Sequence, residues 1–283
     1  MLNIPGAYPT AKLALKSVLQ VLLPRTILYR LANWYRARQV ASFPRRTIRR
    51  SYCGHDLRLV IADATAEGWY DFEWGKNMLP ELAYLKQGRL RPGARVFDIG
   101  AHQGVVAHIL TRLVGTEGEV IAVEADPWNA VRANENTDLN RATGLTVLHA
   151  AVSDGKFEDH HSRSYFSDRA FDWSLKRVPQ ITIDEISHRH GFPDVVYIDV
   201  DGFELLALRG ASKTLERPAD WFVEVHVGEG LENEGATWQE ILAFFDPVRF
   251  CLLIGTNETP EFTAFHPSSY LLKNRFFLVA LHK

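Results

Sequence analysis

Acidic side chains and one histidine follow several apolar runs of this chain, where they could act together on a ligand. They are Asp98, Glu124, Asp199, Glu224 and His226. Ligands of open α/β sheets bind beyond the carboxyl ends of the strands, so we expect these side chains to converge on one crevice. A carboxylate or an imidazole can remove a proton from a hydroxyl, and a metal ion can lower the pKa of that hydroxyl. These residue types therefore predict a site capable of general-base or metal-assisted chemistry.

The segment around residue 100 is typical of a strand, a tight turn and the start of a helix. Asp98 is followed by Gly100 and Gly104, and residues 105–110 are mostly apolar. Glycine lets backbone approach a ligand closely, and the first N–H groups of a helix are free to bind a carboxylate or phosphate. Glu124 follows the next apolar run and is placed to take both hydroxyls of a ribose. These features predict a nucleotide-binding βαβ unit.

The spacing of the glycines distinguishes between nucleotide classes. A dinucleotide fingerprint needs G-x-G-x-x-G, whereas residues 101–103 separate Gly100 from Gly104. Asp98, two residues before the first glycine, suits a ligand with positive charge, such as the amine and sulfonium of S-adenosylmethionine. A nicotinamide-dependent oxidoreductase is disfavoured by the missing third glycine and stays as an alternative.

Several motifs resemble those of the FkbM-type methyltransferases. The pattern D-x-G-A-x-x-G spans residues 98–104, and the resemblance continues at 181–184, 194–202, 204–211 and 222–226. It implies an α/β fold with a doubly wound, mostly parallel seven-stranded sheet, like that of the class I methyltransferases (Rossmann-like). It also implies S-adenosylmethionine as cofactor and methylation of a hydroxyl on a sugar, glycan or secondary metabolite. A non-catalytic cofactor-binding protein of the same fold stays as a second alternative.

The positions after the strands, together with the resemblance, give two groups of candidate site residues. The cofactor group is Asp98, Gly100, Ala101, His102, Gly104, Glu124, Ala125, Val152 and Ser153, with the turn that holds the last two beside the adenine. The catalytic group is Asp199, Glu224 and His226. Glu204 is interpreted as a helix-surface acid, although the family motif also has an acid there.

No set of metal ligands is assigned, and dependence on a divalent metal stays open. The histidine pairs His160–His161 and His188/His190 lack partnered cysteines and are interpreted as solvated loop residues. Three residues depart from the family pattern: His102 replaces asparagine, Tyr197 replaces lysine and Asp201 replaces glutamate. These changes affect the expected cofactor affinity and the geometry of the base.

Composition is that of an ordinary globular protein. The chain has 283 residues, of which 46% are hydrophobic and 23% charged, and its two cysteines have no metal-ligand spacing. A reducing compartment, and hence a cytoplasmic location, is the expectation, although one disulfide between the distant cysteines stays open. No apolar run approaches the roughly 20 residues that span a bilayer.

Charge is distributed unevenly along the chain. Residues 1–50 contain ten Lys and Arg and no acid, so the remainder carries −12, since −2 minus +10 is −12. We therefore divide the chain into a basic helical arm, 1–50, and a methyltransferase-like domain, 51–283. Residues 10–40 predict two amphipathic helices separated at Pro24. The arm is expected to pack on the domain or on a second subunit, with peripheral membrane contact as the alternative. Nucleic-acid binding is not expected, because the remainder is acidic.

The rest of the chain alternates between strand and helix patterns, which predicts a mostly parallel sheet covered on both faces. Strands are expected near 95–99, 119–124, 145–149, 194–199, 220–226, 249–254 and 274–281, the last two antiparallel, after an earlier strand at 56–62. Helices are expected near 80–90, 104–114, 127–138, 203–210 and 236–246. Asp126-Pro127 is a good helix start, and Thr182–Glu185 fits a capping box. The aromatic stretch at 69–74 is interpreted either as a lid over the site or as a cluster closing the sheet edge. A small-molecule or glycan substrate is expected, and a homo-oligomer stays open.

Overall fold

The computed structural model describes residues 34, 38–75, 79–156, 178–256, 261–265 and 274–283. The chain divides into two compact units, residues 1–43 with 160–177, and residues 44–159 with 178–283. The arm helices predicted over 10–40 lie outside the described residues, apart from Trp34 and residues 38–40, which are helical. His160 and His161 also lie outside them. The elements below all belong to the second unit.

The strands begin with a hairpin and continue through the central sheet. They are β1 (Arg46–Tyr52), β2 (His55–Ile61), β3 (Arg95–Ile99), β4 (Glu119–Glu124), β5 (Leu145–His149), β6 (Ala151–Val152), β7 (Gln180–Ile181), β8 (Val195–Ile198), β9 (Asp220–Val225), β10 (Phe250–Thr256), β11 (Thr263–Ala264) and β12 (Phe276–His282). The α-helices are α1 (Ala64–Tyr70), α2 (Pro80–Leu85), α3 (Val105–Val114), α4 (Pro127–Asn140), α5 (Ile183–His190), α6 (Glu204–Arg209), α7 (Ser212–Leu215) and α8 (Trp238–Leu242).

The central sheet has the strand order β11-β10-β12-β9-β8-β3-β4-β5. Strands β5, β4, β3, β8 and β9 are parallel, whereas β12 is antiparallel to both β9 and β10. The predicted α/β class, the mostly parallel sheet and the antiparallel final pair are therefore confirmed. The seven expected strands are all present, and the two-residue β11 extends the sheet at one edge. The carboxyl ends of the parallel strands lie at one edge, which brings the predicted site residues together.

The central strands are buried on both faces, which explains why they read as continuous apolar runs. Phe97 and Ile99 of β3, Ile121 of β4 and Val196 of β8 are fully buried, as is Trp221 of β9. They belong to one apolar core that also includes side chains from α5, α6 and α8. Because a close-packed interior leaves these side chains little room to shift, the positions of the strand ends are well defined.

Predicted helix caps are found at α4 and α5. The Asp126 carboxylate accepts hydrogen bonds from the amides of Trp128 and Asn129, and Pro127 is the first helical residue. Thr182 and Glu185 form a reciprocal capping box at the start of α5. His188 and His190 lie in the last turn of this helix, so the prediction that they lie in a loop was wrong. The capping box at Thr182–Glu185 indicates a helix start eight residues or fewer before them and was the missed signal.

In the hairpin β1–β2, strand β2 was predicted but strand β1 was not. Residues 46–50, assigned to the basic arm from their charge, pair with β2 as part of β1. Arg46 and Arg50 of this strand both form ion pairs with Asp71, at 2.6 and 2.8 Å. The charge pattern concealed the strand because only Ile48 and Tyr52 of β1 are buried.

Two further expectations concern the cysteines and the membrane. Cys53 and Cys251, both in described segments, are free thiols. Over the part of the chain that the structure describes, every helix is too short or too polar to cross a bilayer.

Candidate active site

The turn after β3 lies between the ends of two neighbouring strands. Gly100 has a φ of +94°, and a Cβ atom there would lie 1.7 Å from the backbone oxygen of Asp199. The amides of Gly100 and Ala101 both donate to the backbone oxygen of Val123, at 2.9 and 3.0 Å. Only glycine fits at position 100, because a side chain would meet backbone. The predicted glycine turn therefore joins the carboxyl ends of β3, β4 and β8.

Gln103 and Gly104 hold this turn against α4. The Gln103 side chain is buried and donates to Asp63 Oδ2 at 3.0 Å, while its backbone oxygen accepts from Asn136 Nδ2 at 2.9 Å. Gly104 has a φ of +85°, and a Cβ atom there would lie 3.4 Å from the Cβ of Ala133. The backbone before α3 is thus braced from two sides.

Asp98 lies in β3, one residue before the carboxyl end of the strand. The residue is 2% exposed, and its Oδ2 atom has no hydrogen-bond partner among the described residues. Burial raises the pKa of Asp98 to about 7. A buried carboxylate oxygen without a partner is costly, so a cationic ligand group would relieve that cost.

Glu124 ends β4 and receives hydrogen bonds from the neighbouring backbone. Its Oε2 accepts from the amide of His102 and its Oε1 from the amide of Asp126, each at 2.7 Å. Burial raises the pKa of Glu124 to about 8, against these hydrogen bonds, which lower it. Each carboxylate oxygen has two lone pairs, so both keep acceptor capacity for a ribose hydroxyl. Ala125 lies between Glu124 and Asp126, and its backbone oxygen contacts His149 Nε2 at 3.1 Å.

The aromatic stretch at 69–74 is divided between the interior and the surface. Tyr70 is buried, and its hydroxyl lies 2.5 Å from His102 Nδ1. Trp74 packs edge-on against Tyr52, whereas Trp69 is 60% exposed. Tyr70 and Trp74 thus pack together, and Tyr70 also contacts the candidate cofactor turn, while both interpretations of the stretch, as a lid or as a cluster closing the sheet edge, stay predictions.

The segment after β5 lies beside Glu124. The amide of Ala150 donates to the backbone oxygen of Glu124 at 3.1 Å. Val152 and Ser153 are buried, and the amide of Ser153 donates to the backbone oxygen of Ile181 at 3.0 Å. Strand β7 therefore fixes this segment, and its place beside an adenine stays a prediction.

The three predicted catalytic residues lie together at the ends of β8 and β9. His226 Nε2 is 3.7 Å from Asp199 Oδ1 and 3.8 Å from Glu224 Oε1. Asp201 Oδ1 is 3.5 Å from the same nitrogen. The parallel register pairs Ile198 with Val223, which brings the residues after β8 beside the end of β9. The cluster is thus a consequence of strand register.

Negative charge dominates this cluster. Burial raises the pKa of Asp199, and the charge of Glu224 raises it further. Burial lowers the pKa of His226, but the hydrogen bond and charge of Glu204, with the neighbouring carboxylates, raise it to about 9 overall. The Asp199 side chain is 43% exposed, whereas that of His226 is 4% exposed. Among the three predicted catalytic residues, Asp199 is therefore the one most accessible to a substrate, and the neighbouring Asp201 is also exposed.

Glu204 is a site residue that the sequence analysis placed wrongly. It is fully buried, and its Oε1 lies 2.6 Å from His226 Nδ1 and accepts from the amide of Gly202 at 2.8 Å. It was interpreted as a surface acid because it opens a helix, where acids are common. The available signal was the acid at this place in the family motif.

Tyr197 lies in β8, two residues before Asp199, and its hydrogen bond to Glu81 was also not predicted. Its hydroxyl donates to Glu81 Oε1 at 3.0 Å, and its ring stacks on Phe222. Burial raises the pKa of Glu81 to about 7. Where the family has a lysine, this chain thus has a phenol paired with a buried carboxyl group. The acidic cluster therefore lacks the positive charge that the lysine would place beside it.

Together, these residues fit a cofactor that carries positive charge. The carboxylates of Asp98 and Glu124 are held at or next to the ends of adjacent strands, and burial raises the pKa of both, so a positive charge on the ligand would favour their ionised forms. Gly100 leaves the backbone open to close approach. A sulfonium or ammonium group supplies the missing charge, whereas the pyrophosphate of a nicotinamide dinucleotide adds negative charge in the same place.

Comparisons with known proteins give a family and distant relatives. A sequence model of the family described as "Methyltransferase FkbM domain" matches residues 98–251. The hexuronic acid methyltransferase AglP of Haloferax volcanii is 29% identical over 140 residues, which are 47% of this chain and 56% of that protein. The protein-L-isoaspartate O-methyltransferase of Ignicoccus hospitalis is 31% identical over 111 residues, 37% of this chain and 48% of that protein. The chain thus spans about half the length of these two relatives.

Solved structures resemble the chain more distantly. A SAM-dependent O-methyltransferase from Thermotoga maritima is 14% identical with a TM-score of 0.43, and the alignment covers 84% of this chain and 77% of that one.

Proposed function

Because the chain belongs to the FkbM methyltransferase domain family, whose fold binds S-adenosylmethionine, we propose that it transfers a methyl group to an oxygen of a sugar, glycan or secondary metabolite. The observation that carries the proposal is the cluster of Asp199, Glu224 and His226 beside the glycine turn. The cofactor supplies an activated methyl group, and the chain has to hold the acceptor and take up its proton.

Cofactor binding falls to the ends of β3, β4 and β5. In this proposal Asp98 pairs with the positive charge of the cofactor, and Glu124 takes the ribose hydroxyls. The ligand approaches the start of α3 along the backbone of Gly100, Ala101, His102 and Gly104. The adenine of the cofactor lies beside Ala125, Val152 and Ser153. The orphaned Oδ2 of Asp98 and the spare lone pairs of Glu124 support these two roles.

Proton removal falls to the catalytic cluster. Asp199 is the most exposed of these three residues and accepts the proton of the acceptor hydroxyl, while the charge of His226, whose Nε2 lies 3.7 Å from Asp199 Oδ1, favours the ionised carboxylate. Methyl transfer is a displacement, so alignment of donor and acceptor provides much of the acceleration. General-base assistance adds about 10²–10⁴ in rate.

The substrate class is proposed from the relative that acts on a hexuronic acid. A hexuronic acid offers both hydroxyls and a carboxylate, so the position of methylation has to be measured. The net charge of −12 on residues 51–283 disfavours a nucleic-acid acceptor, which is a polyanion.

The test is methyl transfer from isotopically labelled S-adenosylmethionine to three matched acceptors. They are a hexuronic acid, its methyl ester, and the neutral hexose of the same configuration. Methylation of all three, with a label that survives alkali, supports a hydroxyl as acceptor. A label confined to the free acid and released by alkali would show ester formation instead.

The catalytic assignment has its own test. Asp199→Asn or His226→Ala should lower turnover by about 10²–10⁴ with S-adenosylhomocysteine affinity less affected. Intact turnover in both variants and in Glu224→Gln would place the base elsewhere. Binding of S-adenosylhomocysteine without turnover on any acceptor would favour a non-catalytic binding protein, and calorimetry with NAD tests the oxidoreductase alternative.

A further inference from the structure

The geometry of the catalytic cluster suits more than proton transfer. One ligand atom each from Asp199, Glu224 and His226 lies within 4.8 Å of the others. The distances from His226 Nε2 to the two carboxylates, 3.7 and 3.8 Å, are too long for hydrogen bonds. Two atoms that bind one ion at about 2.1 Å are separated by about 3–4 Å. The cluster therefore has the spacing of ligands around a single ion.

A buried carboxylate fixes the orientation of the imidazole. Glu204 is fully buried, and its Oε1 lies 2.6 Å from His226 Nδ1. The amide of Gly202 donates to the same oxygen at 2.8 Å. Histidines that bind metals commonly donate their second ring nitrogen to a carboxylate in this way, which sets the tautomer and directs the free nitrogen. His226, 3% exposed, thus directs Nε2 towards the carboxylates.

The cluster also holds more negative than positive charge. Carboxylates of Asp199, Asp201, Glu204 and Glu224 all lie within 4 Å of the His226 ring nitrogens. Arg275 Nη1 lies 3.3 Å from Glu224 Oε1, but it is shared with Glu229 at 3.4 Å. One shared guanidinium does not balance four carboxylates, and a dication would neutralise the excess negative charge.

We propose that Asp199, Glu224 and His226 bind one divalent cation, Mn²⁺ or Mg²⁺. Two carboxylates favour a hard ion, and the single imidazole is compatible with Mn²⁺. The exposure of Asp199 leaves room on one side for further oxygen ligands. If the proposed methyltransferase function holds, those positions take the acceptor oxygen and lower the pKa of its hydroxyl, and the proton then passes to water, because Asp199 as a ligand of the ion no longer acts as the base.

The experiment measures metal binding without using turnover. Full-length protein is stripped with EDTA and dialysed, and Mn²⁺ is titrated while free Mn²⁺ is followed by electron paramagnetic resonance. Wild type should bind one ion per chain. Glu224→Gln and Asp199→Asn keep the side-chain shape but remove ligand charge, and each should weaken Mn²⁺ binding at least tenfold. Mg²⁺ should compete for the same site.

The matched control is Asp98→Asn, a buried carboxylate of the same crevice that is not one of the three ligands. It should keep the Mn²⁺ affinity of wild type and lose affinity for S-adenosylhomocysteine. Glu224→Gln should show the opposite pattern, which also establishes that this variant folds. Should Glu224→Gln not fold, Asp199→Asn, whose side chain is partly exposed, provides the same comparison.

The outcomes separate this inference from the proposed function. Wild type that binds S-adenosylhomocysteine but no Mn²⁺, or variants that bind Mn²⁺ as tightly as wild type, would overturn the metal site. Mn²⁺ binding that Glu224→Gln and Asp199→Asn abolish supports the site even if S-adenosylhomocysteine does not bind, and in that case the proposed function fails instead. Loss of activity in EDTA with recovery in Mg²⁺ or Mn²⁺ would connect the two.

Discussion

His102 and Asp201 both have left-handed backbone conformations, with φ values of +50° and +47°. Asparagine, aspartate and histidine adopt this region several times more often than other non-glycine residues. At position 102 the family asparagine is thus replaced by another residue suited to the region, and at position 201 aspartate suits it better than the usual glutamate. These two departures from the family pattern are accommodated by the backbone, and Tyr197 is the one that changes the charge of the site.

The glycine turn gives a prediction at the scale of single atoms. Gly100→Ala should abolish S-adenosylhomocysteine binding and destabilise the fold, because its Cβ would lie 1.7 Å from the Asp199 backbone oxygen. Gly104→Ala is the matched control, with a similar φ but a Cβ 3.4 Å from Ala133, and should cost only about 1–2 kcal/mol. Thermal unfolding with and without ligand measures both. Equal losses in the two variants would contradict the argument.

Glu124 gives a second prediction for single residues. Glu124→Gln should weaken S-adenosylmethionine binding by roughly 1.5–3 kcal/mol, because it removes charge from the hydrogen bonds to the ribose. Glutamine is a sharper probe than alanine here, since one acceptor oxygen remains for the amide of His102 or Asp126. Calorimetry provides the measurement. Unchanged affinity would remove Glu124 from the cofactor site.

Among the elements, those with local signals were predictable and those built from distant contacts were not. Asp126-Pro127 and Thr182–Glu185 begin their helices as predicted, because capping depends on residues within one turn. The partnership of Glu204 with His226 joins a helix start to a strand end 22 residues away. No local pattern encodes such a contact.

Helix α4 holds the hairpin to the sheet through asparagine side chains. Asn136 Oδ1 accepts from the amide of Val60 at 2.8 Å, and its Nδ2 donates to the backbone oxygen of Gln103 at 2.9 Å. Asn136→Ala should therefore lower the free energy of unfolding by about 2–4 kcal/mol, since two buried backbone groups lose their partners. Asn134→Ala removes an amide that donates to the backbone oxygen of Ala130 in the same helix, and should cost less than about 1 kcal/mol. Urea unfolding measures the free energy of unfolding of both variants. Similar losses in the two would show that Asn136 does not hold the hairpin to the sheet.

His108 in α3 gives a prediction on pH. Burial, with the charge of Arg112, lowers its pKa from 6.5 to about 4, against a hydrogen bond to the Asn136 backbone. The unfolded chain therefore binds a proton at higher pH than the folded one, and stability falls as pH drops from 6.5 towards 4. Between pH 7 and pH 5 wild type should lose about 2 kcal/mol more than His108→Leu. Urea unfolding at the two pH values provides the comparison, and parallel losses would contradict the assignment.

For the whole molecule, the sheet could be predicted because alternating strands and helices leave few ways to cover both faces. The convergence of Asp98, Glu124 and Asp199 followed from the same rule, since each ends a parallel strand. The boundary of the basic arm was drawn from charge alone. That criterion cannot distinguish a helix from the strand β1, in which Arg46 and Arg50 have acidic partners.

The arm provides the last prediction, which depends on where the chain is cut. Deleting residues 1–43 removes most of the basic residues but leaves β1 whole, whereas deleting residues 1–52 also removes β1 and exposes the edge of β2. We expect the shorter deletion to lower thermal stability or change the oligomeric state, because the apolar positions predicted over 10–40 are numerous enough for an interface. The longer deletion should cost more, since Ile48 and Tyr52 are buried.

Differential scanning calorimetry and light scattering follow these two changes, and co-sedimentation with anionic liposomes tests the alternative. A shorter deletion that leaves stability and oligomeric state intact but abolishes liposome binding would replace the packing hypothesis with membrane contact. The six basic residues of 1–43, without an acid, make that contact sensitive to salt, so it should weaken as ionic strength rises. Packing through apolar side chains should persist at the same salt concentration.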